Sequence, residues 1–275
     1  MMTLARLGAK PYYSCKVAND KAGEFYHEDL VQSGVYTNQY HCERPDGHTG
    51  RCVVLLTSDA ERTMCTHLGI TATFSKEELV ESELQQAEYL YIEGYLIASE
   101  SAREAMHEAK RIAKQHGVKI ALSLSDPNMV TYFRNELLDV IGDGIDLLFC
   151  NHKEAMDFCQ VSTVSEAAES LQQYAKQFAI TEGGNGSTLF DGQKIRNLSA
   201  CKVDVLDTLG AGDTYAGAFL YAITHGFDFV DCGRVANKVA SKIVTKFGPR
   251  LTKEEADDLQ KSIEEIRTTA TLTVD

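Results

Sequence analysis

The 275-residue sequence lacks the patterns that usually mark several protein classes. Its eight cysteines include no Cys-x-x-Cys pair, which argues against zinc-ribbon and thioredoxin-like sites. It shows no secretory signal and no apolar run long enough to span a bilayer. The Walker A pattern and the protein-kinase motifs are also absent. Scattered cysteines in such a chain are typical of reduced thiols, so we expect a cytoplasmic protein without a membrane partner.

Basic residues are also scarce. Lys and Arg total 27 against 40 Asp and Glu, which gives a net charge of −13. A chain this acidic has no general attraction to nucleic acid, so we expect no nucleic-acid partner. The hydrophobic content of 44% allows a sizeable core, in one large α/β domain or two smaller ones.

Helices and strands are predicted to alternate from residue 76 onward. The predicted strands are Tyr89–Ile92, Lys119–Leu124, Leu147–Cys150 and Phe178–Thr181, followed by a hairpin over Ser187–Asn197. The predicted helices are Lys76–Ala87, Ser101–His116, Met129–Ile141, Lys153–Phe158, Val164–Tyr174, Thr214–Ile223, Phe229–Lys246 and Lys253–Thr268. This alternation is typical of a mainly parallel sheet with helices on both faces, in which ligands bind at the carboxyl ends of the strands.

The first 75 residues are predicted to be organised differently. We expect the end of a helix before Gly8, a strand at Tyr12–Val17 and a helix over about residues 20–32. Alternating residues then predict a hairpin formed by Cys52–Thr57 and Arg62–Thr66. We interpret residues 36–67 as a small β subdomain that leaves the main domain.

The segment Asp207-Thr-Leu-Gly-Ala-Gly-Asp213 places two glycines and a carboxylate at the start of an apolar helix. Glycines allow a ligand to approach the backbone, and the first amides of a helix attract anions such as phosphate. A carboxylate would repel phosphate, but it is suited to accept the proton of an attacking hydroxyl. The segment therefore indicates phosphoryl transfer to an alcohol, although a tight strand-to-helix connection has the same pattern.

Two further polar segments follow predicted strands. Asn151 and Glu154 follow Leu147–Cys150, where one carboxylate near phosphates could hold Mg²⁺; the same spacing is typical of a helix capping box. The glycine-rich segment Thr181–Gly186 could turn around a nucleotide phosphate, or simply connect two strands of a hairpin.

Taken together, these motifs resemble the PfkB/ribokinase family of carbohydrate and nucleoside kinases, over about residues 4–251. The resemblance implies a ribokinase-like α/β fold, one kinase domain over 1–275 and a small β lid at about 36–67. It implies an ATP-dependent kinase that phosphorylates a sugar or nucleoside, with Asp213 as catalytic base. The amides of Gly210, Ala211, Gly212 and Asp213 would form an anion hole.

The resemblance also implies binding roles for other residues. Asn151 and Glu154 correspond to the family's magnesium and phosphate element, and Thr181, Gly183 and Gly186 to its nucleotide loop. Asn237 lies where the family has a wall of its adenine pocket, although an ordinary amphipathic helix would have the same pattern. Asp207 corresponds to a ligand of a monovalent cation, so K⁺ is a further expected cofactor.

Three other residues are weaker candidates. Asp126, in Asp126-Pro127-Asn128, could face the transferred phosphate, but this tripeptide commonly starts a helix. Arg62 could clamp a phosphate, but an exposed hairpin arginine is more often simply solvated. His152 has no accompanying nucleophile pattern, so we interpret it as a loop histidine.

The resemblance also implies that the chain begins too late to contain the family's first strand and its acceptor-binding element. The acceptor therefore stays open between a sugar and a nucleoside. In relatives the lid can also serve as a dimer contact, which suggests a homodimer. The alternative is a catalytically impaired or truncated homologue that binds a nucleotide or sugar. A Rossmann dehydrogenase is disfavoured, because no Gly-x-Gly-x-x-Gly follows an early strand.

Overall fold

The computed structural model describes residues 1–40, 43–56 and 62–272. Its strands are β1 Tyr12–Tyr13, β2 Tyr36–Thr37, β3 Arg51–Leu56, β4 Arg62–His67, β5 Tyr89–Glu93, β6 Lys119–Ser123, β7 Ile145–Asn151, β8 Ala175–Thr181, β9 Ser187–Phe190 and β10 Ile195–Leu198. Its α-helices are α1 Met2–Arg6, α2 Lys21–Gln32, α3 Glu81–Leu84, α4 Glu100–His116, α5 Pro127–Ile141, α6 His152–Cys159, α7 Val164–Leu171, α8 Ala211–Thr224, α9 Phe229–Ile243 and α10 Lys253–Leu272. Within these residues no helix combines the length and apolar character needed to cross a membrane.

The central sheet has six strands in the order β10-β9-β8-β7-β6-β5. Strands β5 to β8 are parallel, whereas β9 and β10 continue the sheet antiparallel as a hairpin. The mainly parallel sheet is therefore confirmed. The parallel strands end at a common edge, which brings residues such as Asn151 and Thr181 side by side as register partners.

Helices cover both faces of this sheet, because alternate residues of each strand point to opposite sides. Leu148 and Cys150 of β7 lie in a core that contains Leu137 of α5 and Phe158 of α6. Their neighbours in β7 point to the other face, where Phe149 packs against Phe219 of α8 with ring centroids 5.4 Å apart. Helix α9 contributes to the core on this second face.

The predicted strand at Tyr12–Val17 is wrong beyond Tyr13. Only Tyr12 and Tyr13 pair with a strand, in parallel with β2. Further along, the buried Asn38 side chain replaces a strand partner: its Oδ1 accepts from Cys15 N and its Nδ2 donates to Cys15 O, both at 2.9 Å. The Asn38 side-chain amide thus satisfies the N–H and C=O groups of Cys15, so the strand pairing does not extend to this residue.

The predicted helix Lys76–Ala87 is also wrong in its extent. A short 3₁₀ turn covers Lys76–Glu78, and α3 spans only Glu81–Leu84. The buried Glu78 carboxylate accepts from Ser75 N at 2.7 Å and forms an ion pair with Lys16 at 2.9 Å. Leu79 then adopts an extended backbone, because these contacts fix the turn before a regular helix can continue.

Strands β3 and β4 form a separate antiparallel hairpin, as predicted. Its turn, residues 57–61, lies outside the described residues, as does the side chain of Arg62. Asp20 anchors the base of the hairpin by accepting from Thr49 Oγ1 at 2.6 Å and from Thr49 N at 3.1 Å. Side chains of the hairpin are largely exposed, including Val53 and Leu55.

Candidate active site

The segment 207–213 forms the entry to α8. Gly210 has φ +70°, and a Cβ built there would lie 2.4 Å from Pro249 Cβ, so both conformation and packing require glycine. A Cβ built on Gly212 would meet no protein atom within 4 Å. Packing therefore does not require glycine at 212, whereas a ligand that approaches the first turn would. Asp213 lies exposed in this first turn.

One of the four amides predicted to form the anion hole is already engaged. The N–H of Ala211 donates to the Thr208 carbonyl at 3.2 Å. The Gly212 amide lies at the next position of the first turn, where helix geometry provides no partner within the helix. It is therefore the better placed donor for an anion.

Asp207 connects two segments of the chain. Its buried carboxylate accepts from Leu209 N at 2.8 Å through Oδ1 and from Gly248 N at 3.1 Å through Oδ2. These contacts hold the loop before α8 against residues 248–249, which also explains why Pro249 packs on Gly210. Asp207 thus has a structural role whether or not a cation binds there.

Asn151 and Glu154 form a capping box at the start of α6. Asn151 Oδ1 accepts from Glu154 N at 2.9 Å, while Glu154 Oε2 accepts from Asn151 N at 2.9 Å. Glu154 is only 4% exposed. Burial is the main cause that raises the pKa of Glu154 to about 7, and the charges of Asp126, Glu93 and Asp213 add to it. The hydrogen bond from the Asn151 N–H lowers this pKa and so acts in the opposite direction. The capping alternative is therefore observed, although it leaves lone pairs on the Glu154 carboxylate for a cation.

Glu93, the last residue of β5, is a site residue that the sequence analysis missed. Burial, and next the charge of Asp213, raise its pKa to about 7. The Ser125 hydroxyl donates to its carboxylate, and Tyr91 Oη donates to it at 3.3 Å. Ser125 adopts φ +71°, which is rare for a residue other than glycine. Glu93 directly follows a predicted strand, so the rule that located Asn151 could have located Glu93 as well.

Four carboxylates thus act on one another in this region: Glu93, Asp126, Glu154 and Asp213. Burial is the main cause that raises the pKa values of Glu93 and Glu154, and their mutual repulsion adds to it, because like charges disfavour ionisation. Asp126 caps α5 by accepting from Asn128 N at 2.7 Å, so the predicted helix start is observed as well. A bound cation would relieve the repulsion, and hard carboxylate oxygens are suitable ligands for Mg²⁺.

The segment Thr181–Gly186 is the turn between β8 and β9. It contains a 3₁₀ turn at Gly183–Asn185 and closes with Glu182 N donating to Gly186 O at 2.8 Å. Gly186 has φ +105°, and a Cβ there would lie 1.9 Å from the Leu198 carbonyl oxygen. Glycine at 186 is therefore required by the fold, whereas a Cβ at Gly183 would meet no protein atom within 4 Å.

Asn237 lies on α9 beside this turn. Its Nδ2 donates to Ser187 Oγ at 3.3 Å and to Ser199 O at 3.4 Å. The side chain is only partly buried, so it borders the surface next to the Thr181–Gly186 turn. The structure therefore brings Asn237 and the predicted nucleotide loop together.

Other candidates receive less support. His152 is exposed at the first residue of α6. The described residues contain no group of three or more His, Cys, Asp and Glu side chains arranged to hold a metal ion. A magnesium ion here would need water and phosphate oxygens as its remaining ligands, which is how Mg²⁺ is commonly bound.

Comparison with known families identifies the family of the chain. Residues 1–256 match the family described as pfkB family carbohydrate kinase. The chain belongs to this family. It is therefore a phosphotransferase of the sugar and nucleoside kinase type, and both the family and the enzyme class predicted from its motifs are confirmed.

Similar proteins are named as sugar kinases or nucleoside kinases. An adenosine kinase from Sinorhizobium meliloti has 32% sequence identity and a TM-score of 0.90, with 95% of this chain and 80% of that chain covered. A probable sugar kinase from Rhizobium etli CFN 42 has 32% identity and a TM-score of 0.89, with the same coverage. A 5-dehydro-2-deoxygluconokinase of Bacillus thuringiensis is 27% identical over 256 residues, which are 88% of this chain and 76% of that protein. The pfkB kinase thus resembles both sugar and nucleoside kinases, and its ribokinase-like fold is confirmed.

Proposed function

We propose that this kinase transfers the γ-phosphoryl group of ATP to a hydroxyl of a sugar or nucleoside, with Asp213 as the base. The observation that carries this proposal is the entry to α8. An exposed carboxylate lies there in a helical first turn whose preceding glycine is fixed in a left-handed conformation. Asp213 also lines a groove together with Glu93, so a small acceptor has access to it.

The acceptor hydroxyl would lie between Asp213 and the γ-phosphate. Asp213 would take the proton of that hydroxyl as its oxygen attacks phosphorus. The amides of Gly212 and Asp213 would donate to the phosphoryl oxygens. The Gly210 amide would join them, as would the Ala211 amide as far as its hydrogen bond to the Thr208 carbonyl allows. Fixed donors of this kind stabilise charge that grows in the transition state.

The cofactor roles are supported by the charges of the site. Glu154 would hold Mg²⁺, with Asn151 orienting the carboxylate, and the surrounding carboxylates make the region attractive to a cation. Mg²⁺, when bound, neutralises charge that develops between the β- and γ-phosphates. Asp207 would contribute to a K⁺ site, since both of its oxygens accept amide hydrogens and each retains a lone pair.

The nucleotide would lie along the turn that contains Thr181, Gly183 and Gly186. Asn237 borders this turn and would contact the base. The backbone of Gly183, with φ +57°, already favours glycine, and the open space around it leaves room for a phosphate. The seven cysteines in the described part of the chain are free thiols, which supports the proposed cytoplasmic location.

The Asp213→Asn substitution tests the base assignment. It preserves size and removes the proton acceptor, so we expect kcat to fall by about 10²–10⁴-fold while the protein stays folded. The measurement is ATP consumption with a panel of sugars and nucleosides, with circular dichroism as the check on folding. The panel also identifies the acceptor class.

Asp257→Asn is the matched control, since Asp257 is exposed on α10, away from the motif. It should retain the activity of the unmodified protein. Turnover by Asp213→Asn within threefold of this control would contradict the base assignment. Undiminished ATP binding by a chain that consumes no ATP with any acceptor would favour the binding-protein alternative.

A further inference from the structure

The hydroxyl of Tyr215 is a buried polar group on the helix that carries the proposed base. Tyr215 lies on α8 two residues after Asp213 and is 3% exposed. Among the described residues, its Oη makes no hydrogen bond of ordinary length and angle. Because nearly all buried polar groups in proteins have a partner, this hydroxyl needs a specific explanation.

Packing explains the ring of Tyr215 but not its hydroxyl. The ring lies in the core on the α8 face of the sheet, with its centroid 6.2 Å from that of Phe219. A phenylalanine would fill nearly the same space and would bury no polar atom. The hydroxyl therefore indicates a role in which it finds a hydrogen-bond partner.

The group that faces this hydroxyl is the side chain of Ser187, at the start of β9. Burial raises the pKa of Tyr215, and the neighbouring Ser187 hydroxyl acts in the opposite direction. Ser187 is itself only 2% exposed. A serine hydroxyl can accept two hydrogen bonds and donate one, so Ser187 has the capacity to accept from Tyr215.

Ser187 also belongs to the proposed nucleotide site. It is the register partner of Thr181, so these two residues flank the turn between β8 and β9. Its Oγ accepts from Asn237 Nδ2 at 3.3 Å, and the same nitrogen donates to Ser199 O at 3.4 Å. Ser187 thus connects the turn with both α8 and α9.

The hydrogen bonds of Asn237 are the part of this arrangement that can change. Both are longer than the typical value of about 2.9–3.0 Å. The amide nitrogen has two hydrogens, and both are donated within the protein. An Asn237 side chain that turns to contact a base therefore releases at least one of these bonds. The buried Ser187 oxygen would then lose its donor, and the Tyr215 hydroxyl lies beside it.

We propose that Tyr215 is a positioning residue for the nucleotide: its hydroxyl donates to Ser187 when Asn237 turns to the base, and so keeps the turn in place beside α8. This inference rests on the proposed nucleotide site at the Thr181–Gly186 turn and not on the assignment of Asp213 as base. Because it is buried, Tyr215 acts through Ser187 and not by direct contact with the nucleotide. It should therefore affect nucleotide affinity and leave the chemical step unchanged.

Tyr215→Phe removes only the hydroxyl and tests this role. We expect the dissociation constant for ADP with Mg²⁺, measured by isothermal titration calorimetry, to rise about three- to tenfold, which is the effect of one lost hydrogen bond. KM for ATP should rise by a similar factor, and kcat should stay within about twofold. The thermal unfolding midpoint without nucleotide should stay the same or rise, because no described residue gives the hydroxyl an ordinary hydrogen bond.

Tyr221→Phe is the matched control on the same helix. Tyr221 is 7% exposed, and its Oη lies 3.3 Å from Gln260 Oε1, toward the other end of α8. This variant should bind ADP as tightly as the unmodified protein. An ADP affinity of Tyr215→Phe equal to that of this control would overturn the positioning role.

A second variant tests the connection through Ser187. Ser187→Ala should weaken ADP binding by at least the same factor, and adding Tyr215→Phe should weaken it no further, because both changes remove one contact. Losses that multiply in the double variant would contradict the connection.

Failure of the proposed reaction has a different signature. It would appear as an unmodified protein that binds ADP but consumes no ATP with any acceptor, and the affinity comparison would still decide the role of Tyr215. An unmodified protein that binds no ADP would overturn this inference together with the proposed nucleotide site.

Discussion

At the level of single residues, the two glycines of the α8 entry have different surroundings. Gly210 is fixed by its positive φ and by Pro249, whereas Gly212 faces open space. The fold therefore explains the first glycine, whereas packing does not require the second, which is what the proposed anion site needs. This contrast gives a direct test of the anion-hole proposal.

We expect Gly210→Ala to lower the free energy of unfolding by about 1–3 kcal/mol, because alanine is strained at this φ and its Cβ would meet Pro249. Gly212→Ala should leave that free energy within about 0.5 kcal/mol. It should still lower kcat/KM at least tenfold, because the added methyl group occupies the space proposed for phosphate. Urea denaturation and steady-state kinetics measure both effects. Full activity in Gly212→Ala would contradict an anion site at this turn.

Glu93 gives a prediction about pH. Its pKa is raised to about 7, so the folded protein keeps a proton that the unfolded chain releases near its ordinary value of 4.5. The resulting stabilisation is complete below pH 4.5 and is lost as the pH rises to about 7. Since one pKa unit corresponds to about 1.4 kcal/mol, the upper limit of this change is about 3 kcal/mol.

Glu93→Gln removes this proton equilibrium. We expect the unfolding free energy of the unmodified protein, relative to that of the variant, to decrease between pH 5 and pH 8. Urea denaturation at intervals of one pH unit measures the difference. Glu100→Gln, at an exposed position on α4, should show no such dependence. Parallel pH profiles for the unmodified protein and Glu93→Gln would contradict the raised pKa.

At the level of secondary-structure elements, a buried lysine stabilises the end of α5. Lys110 of α4 is 7% exposed, and its Nζ donates to the carbonyls of Val140 and Ile141, the latter at 2.9 Å. These carbonyls belong to the last turn of α5, where helix geometry leaves acceptors without partners. Burial lowers the pKa of Lys110, yet a positive charge at a helix carboxyl end is favourable.

We expect Lys110→Met to lower the free energy of unfolding by about 1–3 kcal/mol, because the buried Val140 carbonyl loses its Lys110 donor and the Ile141 carbonyl keeps only Gly144 N. Lys114→Met is the matched control on the same helix. Lys114 forms an exposed ion pair with Asp143 at 2.6 Å, which should contribute less than about 1 kcal/mol. Chemical denaturation compares the two variants, and equal losses would contradict the capping role of Lys110.

At the level of the whole molecule, the β3–β4 hairpin carries apolar side chains that the described chain leaves exposed. Val53 is 60% exposed and Leu55 is 55% exposed, and both point to the same face of the hairpin. Such a surface fits the proposed lid that also joins two copies of the chain. The resulting dimer would place both lids at one interface.

We expect the protein to sediment as a dimer and Val53→Glu to sediment as a monomer, because a buried charge in the interface has no partner. Analytical ultracentrifugation measures the masses. Ile195→Glu introduces the same charge at a partly exposed position of β10 and should stay dimeric. A dimer that persists in Val53→Glu would locate the contact elsewhere.

Local patterns predicted most of the fold because they act over a few residues. Strands β6, β7 and β8 contain buried apolar runs, and the helices between the parallel strands repeat apolar residues at helical spacing. The two wrong secondary-structure predictions, the strand at Tyr12–Val17 and the helix at Lys76–Ala87, lie where a side chain distant in sequence binds the segment. Strand β1 ends at Tyr13, and the Asn38 side chain binds the Cys15 backbone beyond it, while the Glu78–Lys16 ion pair breaks the predicted helix after residue 78.

The sequence by itself determined the parallel α/β sheet, the motif at residues 207–213 and the kinase family, because each follows from residue order and short-range spacing. Only the tertiary structure decided which glycine the fold requires and that Ala211 already has a partner. It also added Glu93 to the carboxylates around Asp213 and placed the Tyr215 hydroxyl beside Ser187. These features depend on contacts between residues far apart in the chain, and residue spacing carries no record of such contacts.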